Sequence, residues 1–107
     1  MSKPILDKAE VALEYPEKLY SGTFERSSRF EASFNESGVS LILERQGSAD
    51  ERKSVHIHLH YGLFAEVLDQ LCESTSDIPE GKLGREQVQG AVARLQRALE
   101  SVPMRTT

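Results

Sequence analysis

The stretch SVHIHLHYGLFAEVLDQL, residues 54–71, switches its apolar period from two to 3.6 part-way along. Val55, Ile57 and Leu59 alternate with His56, His58 and His60, which puts apolar side chains on one face of a strand and imidazoles on the other. From there Leu63, Phe64, Val67, Leu68 and Leu71 fall at helical spacing. A strand that runs so directly into a helix predicts that both apolar faces meet in one core.

The segment before it reads as a hairpin. Asn35-Glu36-Ser37-Gly38 is a four-residue turn, with Asn to open it and a Gly able to take positive φ. Folding there pairs Phe34 with Val39, Ala32 with Leu41 and Phe30 with Leu43 on one face. Ser33 with Ser40, Glu31 with Ile42 and Arg29 with Glu44 then share the other. A slip of one residue would turn every side chain to the wrong face, so the register is strongly specified. Residues 46–53 (QGSADERK) read as a polar loop, after which the histidine strand returns antiparallel and its imidazoles join the face of Glu31, Ile42 and Glu44.

Residues 19–34 are rich in strand formers, but one unbroken strand would point Arg26 and Ser28 into the core beside Phe24 and Phe30. Burying an unpaired guanidinium costs several kcal/mol, so a turn or bulge is expected at residues 26–28. Residues 5–15 fit two periods: Ala9, Val11, Leu13 and Tyr15 suit a strand, and Ile5, Leu6, Ala9, Ala12 and Leu13 suit a helix face. The edge strand is the reading preferred here, and Pro16 ends either element.

Downstream, residues 74–82 (STSDIPEGK) form a connector. A second helix is expected over residues 84–101, with Val88, Ala91, Val92, Leu95, Leu99 and Val102 on its apolar stripe and Pro103 as its stop. Gly90 inside it is explained by close packing against the first helix. The expected architecture is α+β: an antiparallel meander of three or four strands followed by two C-terminal helices packed on one face of the sheet. A chain of 107 residues makes one domain, with residues 1–8 and 103–107 as flexible tails.

Composition narrows the function classes. The chain is 38% hydrophobic and 28% charged, which argues against wholesale disorder. A net charge of −4 argues against the non-specific phosphate attraction behind most nucleic-acid affinity. No window approaches the ~20 apolar residues of a membrane span, and residues 1–18 carry acids early and no apolar run, unlike a leader or anchor. The lone cysteine, Cys72, reads as a small reduced core residue, which suggests the cytoplasm.

Three binding readings follow from the residues. With three Tyr, four Phe and no Trp, the core is modest, and a homodimer through the uncovered sheet face or an edge strand would complete it. This is the preferred reading: a small cytoplasmic interaction or regulatory domain. As an alternative, His56 and His58, or His58 and His60, each pair ~6.7 Å apart along a strand, could share a Zn²⁺ with Glu44 or Glu31; His60 lies too far from His56 for all three to share it. As a second alternative, Thr23, Arg26, Ser27, Ser28 and Arg29 form a donor-rich loop suited to an anion, and Arg45, Arg52 and Lys53 could extend it towards nucleic acid. No Gly-rich phosphate loop, serine elbow or paired-cysteine motif is present, so a binding role is expected before an enzymatic one.

Overall fold

A computed structural model of the chain describes residues 2–45 and 53–101. The polar loop expected at residues 46–53 therefore lies largely outside the described residues, as do Arg52, Val102, Pro103 and the C-terminal tail. The fold is α+β, with antiparallel strands followed by two C-terminal helices. Six strands lie among the described residues, two more than the upper expectation. They are β1 (Lys3–Pro4), β2 (Ala9–Tyr15), β3 (Lys18–Phe24), β4 (Ser28–Phe34), β5 (Gly38–Arg45) and β6 (Lys53–His60). Two compact units, Met1–Val67 and Leu68–Thr107, divide the chain within helix α1 (Tyr61–Leu71).

In the first unit, one sheet has the order β1-β4-β5-β6 and β2-β3 form a separate hairpin. The register of β4 with β5 is the expected one at every pair, from Phe34 opposite Val39 to Arg29 opposite Glu44. It continues into β6, where Leu59 faces Val39, Ile57 faces Leu41 and Val55 faces Leu43. Ser28 starts β4 after a tight turn closed by its N–H on the Glu25 carbonyl at 2.8 Å. That turn is the break the sequence requires, and it leaves Arg26 exposed.

Residues 9–15 are a strand. Tyr15 pairs with Lys18 around a two-residue loop, Pro16-Glu17, and Ala9 pairs with Phe24 at the open end. Ala9, Val11 and Phe24 share a face of this hairpin, and that face packs on Leu43, with Phe30, Leu41 and Val55 around it. Phe24 is only 1% exposed; burying such a ring is worth about 1.5–3 kcal/mol. The hairpin therefore covers an end of the sheet's apolar face that the sequence reading assigns to the helices. Residues 1–8, expected as a tail, contribute β1 and the buried Ile5 to the same layer, with Ile5 N–H donating to the Ser28 carbonyl at 3.0 Å. The other end of that apolar face meets α1: the Phe34 ring stacks on Tyr61 at 6.3 Å and meets Phe64 edge-on at 6.1 Å. Between the two ends Ile57 stays 39% exposed.

Gly38 is needed for a different reason from the one expected. Its φ is not positive; Gly81 alone among the described residues has that conformation, at 124°. A Cβ at Gly38 would lie 2.0 Å from the Leu59 carbonyl oxygen, so it is the close approach of β6 that excludes a side chain.

In the second unit, a 3-10 helix (Cys72–Asp77) leads to Ile78, and a π-helical turn (Lys82–Glu86) precedes α2 (Gln87–Glu100). The connector is fastened by Arg85, whose guanidinium donates to the Ile78 carbonyl at 3.2 Å. Cys72 is exposed rather than buried, its thiol directed to the Leu68 carbonyl one turn back. Gly90 does not serve close packing: the single atom near its missing Cβ is the flexible Arg94 guanidinium end, at 3.4 Å. Val88, Val92, Leu95 and Leu99 form the expected stripe on α2, and all four are exposed.

Candidate functional site

The polar face of the sheet is built by register. Ser33, Ser40 and His58 lie in one cross-strand row, Glu31, Ile42 and His56 in the next, and Arg29, Glu44 and Ser54 in the third. At the end of this face the turn between β4 and β5 folds back over β6, and four side chains join.

Asn35 organises the turn. Its N–H donates to the Gly38 carbonyl at 2.9 Å, and its Oδ1 accepts the N–H groups of Ser37 and Gly38 at 3.1 Å each. Its Nδ2 donates to Ser40 Oγ at 2.9 Å. Ser40 Oγ lies 2.9 Å from His58 Nδ1, and Ser37 Oγ lies 3.0 Å from His58 Nε2. The His60 ring stands edge-on to His58 at 5.2 Å between centroids.

Hydrogen-bond accounting orients this cluster. Ser37 Oγ is also 3.2 Å from Asn35 Oδ1, an oxygen that accepts two backbone N–H groups as well. Ser37 can give its hydroxyl proton to Asn35 Oδ1 or to His58 Nε2, and the His58 tautomer decides between them. In the tautomer protonated on Nδ1, His58 donates to Ser40 Oγ, which also accepts from Asn35, and Nε2 is left to accept from Ser37. In that tautomer Ser37 donates, His58 accepts, and Ser40 with Asn35 holds the ring.

The turn is pinned from outside as well. The Tyr61 hydroxyl, at the first position of α1, donates to the Asn35 carbonyl oxygen. The strand-to-helix junction and the β4–β5 turn thus hold each other in place.

No family model, curated protein or solved structure matches this chain. What it can do must be argued from its own residues.

Of the candidates read from the sequence, His58 and His60 lie side by side, and the others are spread along the sheet. His56 sits opposite Ile42, His58 opposite Ser40 and His60 opposite Gly38. Both ring nitrogens of His58 are engaged by serines, and no group of three His, Cys, Asp or Glu able to hold a metal occurs among the described residues. Glu44 is exposed between Arg29 and Ser54. The proposed anion loop is pulled apart. Arg29 points to the N-terminal segment, with Nε on Ser2 Oγ at 2.9 Å and Nη2 on the Ser2 carbonyl at 2.7 Å. Ser28 is buried on the opposite face, and Arg26 lines a shallow hollow with Asp7, Lys8 and Glu25, whose two acids and two bases cancel.

Sequence reasoning missed Asn35, Ser37, Ser40 and Tyr61 as members of one cluster. A signal was present for Ser40: once Val39 faces Leu59, Ser40 must face His58. Ser37 lies in the turn, where strand parity does not apply.

Proposed function

We propose that the chain is a small cytoplasmic interaction domain that works as a homodimer, with β6 of one copy paired antiparallel to β6 of a second. The observation that carries this reading is the open edge of β6. It closes one side of the sheet, and its outer edge has no strand partner among the described residues. On the opposite side β1, a two-residue strand containing Pro4, covers Arg29 and Phe30 of β4, a recurrent way of guarding an edge. β6 has no such guard between Ser54 and His60, a run without Asp, Glu, Lys or Arg.

Its chemistry also reads the same in both directions. Val-His-Ile-His-Leu, centred on Ile57, alternates apolar and imidazole about a midpoint. A two-fold axis through Ile57 sets Val55 against Leu59 of the second copy and His56 against its His58, apolar with apolar and ring with ring. Such self-complementarity is what an interface between identical surfaces requires. The half-exposed Ile57 would gain cover by it. The cytoplasmic location is supported by Cys72, an exposed free thiol suited to a reducing compartment.

Light scattering on the size-exclusion peak tests the reading. The expected mass is twice 12.0 kDa. A mass of 12.0 kDa that persists to millimolar concentration would overturn it.

A further inference from the structure

We propose that Ser37 is a nucleophile, activated by His58, that takes acyl groups from activated esters. Its Oγ lies 3.0 Å from His58 Nε2, within reach of the proton transfer that turns a hydroxyl into an attacking group. Ser40 acts as a positioning residue: in the tautomer with the proton on Nδ1, Ser40 accepts it and the Nε2 lone pair faces Ser37. Asn35 fixes Ser40 in turn and sets the turn that presents Ser37. Ser37 is exposed, so an ester can reach it. A nucleophile, a base within hydrogen-bond distance and a third group orienting the base are the parts that covalent catalysis needs.

The step balances on these residues. Ser37 Oγ attacks the carbonyl carbon while its proton passes to His58 Nε2. The bond from that carbon to the departing oxygen breaks, and the oxygen leaves as an aryloxide with the bonding pair. The acyl group remains on Ser37 as an ester, and the imidazolium gives its proton to water. Attack by a second water, with His58 again as base, frees a carboxylic acid and restores the hydroxyl.

The substrate class follows from what the site lacks in donors. The N–H groups of Ser37 and Gly38 already serve Asn35 Oδ1, so neither is free to hold a developing oxyanion. Without those two donors the leaving group departs with less help, which favours aryl esters and similarly activated acyl compounds as donors.

The full-length protein incubated with p-nitrophenyl acetate is the test, read as an acetyl group on Ser37 rather than as the mass that tests the dimer. The expected result is p-nitrophenolate release together with an acetyl group mapped to Ser37 by peptide mass spectrometry. Ser37→Ala should lose that adduct, and His58→Gln should slow acylation by about 10²-fold, the range for a positioned general base. Added imidazole should restore acylation in His58→Ala, which a purely structural role for His58 would not allow. Circular dichroism confirms that each variant is folded. The proposal is overturned if wild-type protein acquires no acetyl group at Ser37, or if His58→Gln acquires it as fast as wild type.

Discussion

The Tyr61 hydroxyl donates to the Asn35 carbonyl oxygen, so the first residue of α1 holds the turn that joins β4 to β5. Twenty-six residues separate the two in sequence, and the contact locks the turn carrying Ser37 to the end of the strand carrying His58. Tyr61→Phe keeps the ring that stacks on Phe34 and removes only the hydrogen bond. Because both groups are solvent-accessible, water replaces part of what is lost, and the expected cost is about 1 kcal/mol. Urea titration of the variant against wild type measures it. An unchanged midpoint would mean that the hydroxyl contributes nothing to holding the turn.

Gly38→Ala should be far more costly. The added methyl carbon would sit 2.0 Å from the Leu59 carbonyl oxygen and 2.9 Å from His60 Cα, and both are backbone atoms that cannot rotate away. Relief requires β5 and β6 to part at the end nearest α1. The expected destabilisation exceeds about 2 kcal/mol, with loss of amide-exchange protection starting at Leu59 and His60. A variant as stable as wild type would show that the strands approach less closely than described.

Ser28 presents the reverse case. It is 1% exposed, and its hydroxyl has no hydrogen-bond partner among the described residues. An unsatisfied buried hydroxyl opposes folding, so Ser28→Ala should be neutral or raise stability by about 1 kcal/mol. Phe24→Ala, at an equally buried position, should cost about 3–5 kcal/mol through the cavity it leaves. Thermal melts of the pair would separate the two effects, and a strongly destabilised Ser28→Ala would reveal a partner for the hydroxyl.

The register of β4, β5 and β6 was legible in the sequence because parity alone decides it. Phe30, Phe34, Leu41, Leu43, Val55 and Leu59 can share a face in one alignment only, and Asn35 to Gly38 sets the offset. Which layer covers that face was not legible. Val11 and Leu13 alternate as a strand does, but nothing in that period says that the Phe24 end of the hairpin turns back over Leu43. The β1 pairing is similarly hidden, since Lys3 and Pro4 carry no strand signal and are held by Ile5 and by Arg29 gripping Ser2. For the candidate site, His58 stood out from its alternation, whereas its serine partners did not. Ser40 is reached by counting across the ladder, and Ser37 only through the geometry of the turn.

Ile57 supplies the sharpest test of the homodimer. It sits at the midpoint of β6, opposite Leu41, and is 39% exposed on the sheet's apolar side. In the proposed pairing it meets Ile57 of the second copy on the two-fold axis, so Ile57→Lys would set two ammonium groups directly against each other. Like charges across a strand pair destabilise it, and the unpaired copy can turn a long lysine chain out to water. The expected outcome is a shift from twice 12.0 kDa to 12.0 kDa in light scattering, with the circular-dichroism spectrum retained. His56→Ala on the other face removes no apolar contact from that row and should leave the mass doubled. If Ile57→Lys stayed dimeric, the β6 pairing centred on this residue would be overturned.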